Sequence, residues 1–592
     1  MHYDIKLARL LKKYELDTVT ESYYIDRFVV EVCQPQSPND RMVIWGAGEH
    51  TDHLLKILCK DVGIRNSIAF IVDNSEKLQN TNVKGFQVKP PSAINDDITT
   101  IVVSSYLYRE PITDEIKKSY PRCRIVNIYD EKFQLPLKGP FYIHKQNTDL
   151  FMQRKIYEEA SGRKQREAQL LTLIKKYLRV RDFVNGQRYI AEYVMQKYSD
   201  YAELLSLQQE LNSLLTELKE SLQRKTPQDL CILILDSMRA RDLEKMPNLN
   251  AFASQHINYR NAYSPSTYTI ASCLSMMTGK LLIDDHLMEE SELDLTQSGL
   301  YGRVSQEGYR FYQYSGMHVK DHPHVNLIGT SGKKADFDTF APASLLIWNF
   351  LTDLASRQDS RGLYVLQLWE LHHPYVSGYH EKRIILPGYL PKFINKHKIQ
   401  NPDLLTEAYD QYQEAMRYVD QQLQMFLEFL PPRMTAAICS DHGFCQEDGD
   451  HYGAVLPWRD ENIHVPLIVR YPGDTPTVNP GLFGMKHLSE ILLEIYETGA
   501  LRIQPHDFVE MQRGPIRSKT MREDPLFSYQ LNPNLFQGYK MIRSLTEKYV
   551  LYDNGQEEYY ILPNEDVPIT NPDPSIMDKY RQLINRDFYY NL

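Results

Sequence analysis

The sequence predicts an α/β protein organised around mostly parallel sheet, and three stretches carry the prediction. Cys231-Ile-Leu-Ile-Leu235 is an all-apolar run that ends abruptly at Asp236. Thr435-Ala-Ala-Ile-Cys-Ser440 repeats the pattern and closes on Asp441-His442-Gly443. Met42-Val-Ile-Trp45 runs straight into Gly46-Ala47-Gly48. A short run with no polar face is a strand covered on both sides, as in parallel sheets flanked by helices. Such sheets hold their sites at the C-terminal strand edge, where Asp236 and Asp441-His442 fall. Between them lies a hydroxyl-rich segment with Ser264, Ser266, Thr267, Thr269 and Ser272. Hard ligands flanking hydroxyls point to a metal site that holds a nucleophile.

Taken in order, residues 1 to about 40 read as a helical lead-in without chemistry of its own. The strand Met42–Trp45, the Gly46-Ala-Gly48 turn and the apolar-periodic stretch after Asp52 form the opening of a nucleotide-binding βαβ unit. Ile68-Ala-Phe-Ile-Val72 is a second strand, ending at Asp73 near where such folds place a ribose-binding acid. Runs at Ile101 and Arg124 continue the alternation, so residues 1–140 read as a small Rossmann-like domain with its lead-in, the core at 41–135. Gly46, Gly48 and Asp73 are its candidate ligands for a nucleotide or nucleotide-sugar. The third fingerprint position is Thr51 rather than glycine, which leaves open a domain that binds nothing or docks a partner.

Residues 148–226 read as a helical linker. Leu204, Leu207, Leu211, Leu214, Leu218 and Leu222 recur at three-four spacing, a seam for a helix pair or short coiled coil. It serves a homodimer, a spacer, or packing against the neighbouring domain. Residues 228–474 are expected to form the catalytic core, and 475–592 a smaller C-terminal subdomain ending in strands.

Composition fits this plan. The 592 residues are enough for two or three domains, and 42% apolar with 24% charged content describes a globular chain. A net charge of -10 argues against a nucleic-acid binder. Seven scattered cysteines read as reduced thiols. The N-terminus lacks an apolar leader and no run reaches membrane-span length, so the expectation is a soluble, cytoplasmic protein without a transmembrane segment.

At these residues the sequence resembles the alkaline phosphatase superfamily, and within it the sulfatase-like hydrolases and transferases. The likeness runs in order through the Asp236 strand, Met246-Pro-Asn-Leu249, Asn261 to Gly279, Gly308-Tyr309, His372-His-Pro-Tyr375, Ser440-Asp-His-Gly443 and Val465 to Gly473. Tyr539-Lys-Met-Ile-Arg543 and Gly555-Gln-Glu-Glu-Tyr-Tyr560 look like the small C-terminal subdomain of sulfatases. It implies an alkaline phosphatase/sulfatase-like catalytic domain, a mixed, mostly parallel sheet flanked by helices. The Rossmann-like segment is similar to small domains of sugar-modifying proteins.

With Asn261 and Thr278-Gly279 in register with the sulfatase pattern, the position of the sulfatase Cys or Ser falls on Thr269. The pattern's Pro falls on Ala271, its Arg on Cys273, and Gly316-Met-His318 stands where a lysine is expected. Threonine cannot become formylglycine, so sulfatase activity is not expected. A threonine nucleophile resembles the phosphotransferase and phosphodiesterase branches, and the likeness implies that Asp236, Thr269, Asp441 and His442 share a metal. His372 and His451 match histidines that, in phosphoethanolamine transferases and lipoteichoic acid synthases, face substrate or a second metal. Oxygen with imidazole ligation favours Zn²⁺ or Mn²⁺. Thr267 stays open as the nucleophile if the register slips by two, His464 or His373 in place of His451, and Glu370 as ligand or buried acid.

The function expected is transfer of a phosphoryl-linked group from a phosphodiester donor, through a phospho-threonine, to a glycan or glycolipid acceptor, of phosphoethanolamine or phosphoglycerol type. The alternatives are a phosphodiesterase with water as acceptor, and a non-catalytic scaffold.

Overall fold

The computed structural model describes residues 2–17, 23–105, 108–130, 145–288, 290, 292–314, 319–320, 325–328, 341–373, 375–380, 403–445, 459–502, 504–516 and 533–589. Three sheets organise them. The first has strands β1 (Met42–Trp45), β2 (Ile68–Val72), β3 (Asn82–Val83), β4 (Phe86–Lys89), β5 (Thr100–Val103) and β6 (Arg124–Val126), in the order β3-β4-β2-β1-β5-β6. All its pairs are parallel except β3 with β4. Every residue of β1 and β5 is buried, as their unbroken apolar runs require.

The central sheet has β7 (Leu230–Leu235), β8 (Ile257–Tyr263), β9 (Arg310–Tyr314), β10 (Val325–Ile328), β11 (Gly362–Leu368), β12 (Thr435–Cys439), β13 (His464–Arg470) and β14 (Thr477–Gly484). Their order is β10-β9-β11-β7-β12-β13-β8-β14. The pairs from β10 to β12 are parallel, and β14 runs parallel to β8. Only β13 is antiparallel to both its neighbours. This is the mixed, mostly parallel sheet the sequence predicts. Its helices form two apolar layers, one holding the helices Pro247–Gln255, Ala343–Ser356 and Asp403–Phe429, the other Thr269–Thr278, Gly299–Ser305 and Leu488–Thr498.

A third, antiparallel sheet follows: β15 (Val509–Arg513), β16 (Tyr539–Arg543), β17 (Glu547–Tyr552) and β18 (Glu557–Ile561). The expected boundary at 475 is therefore too early, because β14 belongs to the central sheet. Pro480 and Gly481 hid it. They sit at a register shift between Asn479 and Leu482, and β14 is an edge strand, where a missing N–H is tolerated.

The stretch expected as a linker is a packed layer of four helices, Lys145–Glu159, Arg163–Arg179, Phe183–Met195 and Tyr201–Gln223. All six seam leucines are buried within the chain, in one core with the helices Ala343–Ser356 and Asp403–Phe429. The lead-in divides. Its first helix, His2–Lys13, buries Tyr3, Leu7, Leu10 and Leu11 in that same core rather than with the Rossmann-like sheet, packing on the leucine helix and on the helix Ala343–Ser356. Its second, Tyr24–Cys33, packs on the first sheet's core.

Candidate metal centre

Asp236 follows β7 directly and Asp441-His442 follows β12 after Ser440, so the adjacent parallel strands deliver them to one edge. The two carboxylates and the imidazole are buried, and they offer ligand atoms that all lie within 4.8 Å of one another. Among the described residues this is the one such group. Asp441 Oδ1 accepts the amide hydrogens of Ser237 at 3.2 Å and His442 at 2.9 Å. Its Oδ2 is buried without a hydrogen-bond partner and stands 3.7 Å from His442 Nε2. His442 Nδ1 donates to Gly443 O at 2.8 Å, which leaves the Nε2 lone pair facing the carboxylates.

The electrostatics fit a cation. Burial and the neighbouring Asp441 charge push the Asp236 carboxyl up, against the pull of His372 and His442. Burial disfavours a charged His442, but Asp441 and Asp236 override it and raise its pKa. Two buried carboxylates with one oxygen unpaired are costly without a positive charge between them. The donors present, two carboxylates and an imidazole, suit a divalent ion.

Thr269 is the first residue of the helix Thr269–Thr278. Its Oγ1 lies 3.4 Å from Asp236 Oδ2 and 3.3 Å from His442 Nε2. Ser264, Thr267 and Ser272 have other partners. Ser264 Oγ donates to the carbonyls of Asp441 and Ser266 and meets Ser272 Oγ at 3.0 Å. Thr267 is buried against Tyr539. Cys273 is fully buried one turn further along, and burial holds its thiol far above the ordinary range. Tyr268 and Ile270, either side of Thr269, keep 37% and 36% of their surface open.

His372 lies in the turn after β11, and its charge acts on Asp236. His451 and the Gly316-Met317-His318 stretch lie outside the described residues. His464 Nε2 donates to Arg260 O at 2.7 Å and its ring stacks on Tyr263, so it serves the β8–β13 junction. Glu370 is a buried acid: its Oε1 accepts from Ala343 N at 2.7 Å.

Several supports were not read from the sequence. Gln367 donates to Asp236 Oδ2 from within β11; the signal was a lone amide in a strand buried at every position. Arg239 grips Asp242 through two nitrogens, and its Cγ lies under Gly443. A Cβ at Gly443 would also run into Glu461 O, which explains the glycine. Gln512 in β15 braces the segments that flank the helix Thr269–Thr278. Its N–H donates to Pro265 O at 3.0 Å, and its Oε1 accepts from Ile283 N at 2.7 Å and Asp284 N at 3.1 Å.

In the first sheet, Gly46 has φ +114° and a Cβ there would meet Ser104 O at 2.5 Å, so the crevice between β1 and β5 is closed at that point. Asp73 Oδ2 accepts from Ala47 N at 2.8 Å, a donor that a phosphate would otherwise use. Gly48 is exposed at the N-terminus of the helix Glu49–Leu58.

Residues 228–492 match the family model described as Sulfatase, and residues 38–126 match that of the C2185-like N-terminal domain. No curated protein matches the chain. Among solved structures, the phosphonate monoester hydrolase SpPMH from Silicibacter pomeroyi is similar at 15% identity and a TM-score of 0.46, covering 60% of this chain and 94% of that one. A putative sulfatase from Bacteroides thetaiotaomicron VPI-5482 is similar at 15% identity and a TM-score of 0.44, covering 60% and 90%. No helix among the described residues is long and apolar enough to cross a membrane.

Proposed function

We propose that this protein, whose residues 228–492 match the Sulfatase family model, is a metal-dependent enzyme of the alkaline phosphatase superfamily that cleaves phosphodiesters with Thr269 as nucleophile, and passes the phosphoryl-linked group to a glycan or glycolipid acceptor. The observation that carries the reading is the position of Thr269 Oγ1, 3.4 Å from Asp236 and 3.3 Å from His442 at the start of a helix. Asp236, Asp441 and His442 would hold Zn²⁺ or Mn²⁺. When bound, such an ion lowers the proton affinity of a neighbouring hydroxyl and offsets phosphate charge.

The chain's own residues do the rest. Thr269 donates its hydroxyl hydrogen toward Asp236 Oδ2, so an Oγ1 lone pair is free to meet phosphorus. The Oγ1–P bond forms as the ester P–O bond breaks in line, and the departing oxygen takes a proton from His372 or water. The N–H groups opening the helix Thr269–Thr278 face the phosphoryl oxygens of a group on Thr269. An acceptor hydroxyl then attacks the phospho-threonine: its O–P bond forms as the Oγ1–P bond breaks, its proton passes to the His372 imidazole or water, and Oγ1 takes back the proton held at Asp236. Tyr268 and Ile270 supply an open apolar rim on which a sugar face can rest. Water as acceptor would make the same site a phosphodiesterase.

The test is a p-nitrophenyl phosphodiester with Mn²⁺ or Zn²⁺, acid-quenched early, followed by mass spectrometry of the tryptic peptide Asn261–Lys280. The expected result is nitrophenol release with a phosphoryl-linked adduct on Thr269. Turnover with the adduct on another residue overturns Thr269. No turnover with either metal overturns the enzyme reading and favours a scaffold.

A further inference from the structure

The turn that carries His372 is held from both sides: by Ala343 and Gln411 within residues 228–492, and by residues upstream of that stretch. Tyr375 N donates to His372 O at 2.8 Å, and Tyr375 closes this turn with φ +58°, a left-handed conformation unusual for tyrosine. Such a residue persists only where its surroundings over-determine it. Here they do. Asn147, in the helix Lys145–Glu159, is fully buried, and its Nδ2 donates to Val376 O at 3.0 Å and toward Glu370 Oε1 at 3.4 Å. One amide thus ties together the chain just before His372 and just after it. Both partners are acceptors, so the amide's orientation follows from the contacts.

The segment beyond the turn is gripped by the same layer. Val376 is buried in the core of the Rossmann-like region, with Phe151, Met152 and Met42 and Ile44 of β1. Tyr177 OH donates to Gly378 O at 2.9 Å. The Tyr379 ring lies under the guanidinium groups of Arg154 at 4.2 Å and Arg188 at 5.0 Å. Phe151, Met152, Arg154, Tyr177 and Arg188 all lie upstream of 228–492.

We propose that Asn147, supported by Tyr177, is a positioning residue for His372, so that the helical layer upstream of residue 228 is part of the working site. The inference rests on the reading of His372 as a group that meets the substrate. A displaced turn moves the imidazole relative to the phosphoryl group, and a misplacement of about 1 Å can lower a rate on the order of 10²-fold.

Trp369, whose ring meets His372 edge-on at 5.8 Å, reports the turn without any turnover. The experiment uses the full chain labelled with 5-fluorotryptophan, with the Trp369 resonance assigned by loss in W369F. N147A is expected to shift or broaden that resonance while Trp45 and Trp348 stay in place. In the same protein, kcat on the phosphodiester should fall on the order of 10²-fold, with KM and metal content unchanged. Y177F, which removes one hydroxyl and keeps the ring, should shift the same resonance less and guards against a misfolded N147A. An unmoved Trp369 resonance in both variants overturns the proposal, as does a shifted resonance with unchanged kcat. Should the wild type cleave no phosphodiester, the functional reading falls, and the resonance alone decides whether Asn147 holds the turn.

Discussion

Thr269 and Asp236 stand 33 residues apart in the chain and meet with Oγ1 3.4 Å from Oδ2. The contact joins the start of a helix to the end of a buried strand. It places a secondary alcohol beside Asp236 and His442, while the hydroxyls of Ser264, Thr267 and Ser272 have other partners.

Thr269→Ala should therefore abolish phosphodiester turnover, by about 10⁴ to 10⁶ in kcat, while the metal is still bound. Thr267→Ala should leave kcat within about tenfold, since Thr267 is buried against Tyr539. Steady-state kinetics of both variants, beside their circular dichroism, checks the pair. A dead Thr267→Ala with an active Thr269→Ala would move the nucleophile by two residues.

Metal removal should lower the melting temperature, and Mn²⁺ or Zn²⁺ should restore it. At a hundred times the dissociation constant the ion adds about 2.7 kcal/mol. Asp441→Asn keeps the Oδ1 that accepts from Ser237 and His442 but replaces the bare Oδ2. Its metal-free form should melt no lower than wild type, because one of two buried like charges is gone, and its melting temperature should no longer respond to the ion. Calorimetry with and without chelator reads both. A metal response that survives in Asp441→Asn would place the ion elsewhere.

Cys273 should remain a thiol. It is fully buried in the helix Thr269–Thr278, with its pKa pushed far up by burial and by Asp441 and Asp236. Intact mass of the Asn261–Lys280 peptide should show unmodified cysteine, and a nitrophenyl sulfate should not be hydrolysed. Formylglycine at Cys273 together with sulfate release would reverse the reading of the chemistry.

The Rossmann-like region should be sensitive to acid through His50. Burial, with His53 beside it, depresses its pKa to about 3, and its ring nitrogens meet Ser104 Oγ at 3.0 Å and Tyr129 OH at 3.1 Å. The unfolded chain takes up the proton near the ordinary value of about 6.5, while the folded chain refuses it until about 3. The group's stabilisation is thus present above about pH 6.5 and is lost as pH falls, by about 2 kcal/mol at pH 5. Hydrogen exchange over β1 and β5, corrected for intrinsic rates, should show that loss in wild type and not in His50→Gln. Equal slopes would remove His50 as the cause.

The convergence of Asp236 and Asp441-His442 was legible because an apolar strand that stops at a carboxylate has few other readings. Thr269 followed from an ungapped register. Asn147 and Val376 were not legible, being 229 positions apart and joined by one amide. The leucine seam misled for a related reason: a three-four stripe looks the same whether its partner is a second chain or the helices Ala343–Ser356 and Asp403–Phe429. The edge strand β14 was hidden by a Pro-Gly pair that its register shift accommodates.

Gln512 bears on the order of synthesis. A ribosome has made Asp236, Thr269, Asp441 and His442 before it reaches β15, so a nascent chain can hold all four while the helix Thr269–Thr278 still lacks its brace at Pro265 and at Ile283-Asp284. These contacts form only when β15 folds onto the segments that flank Thr269. A chain arrested short of residue 512 would carry Asp236, Thr269, Asp441 and His442 without that brace, and their alignment would wait on residues beyond the stretch 228–492 that supplies them.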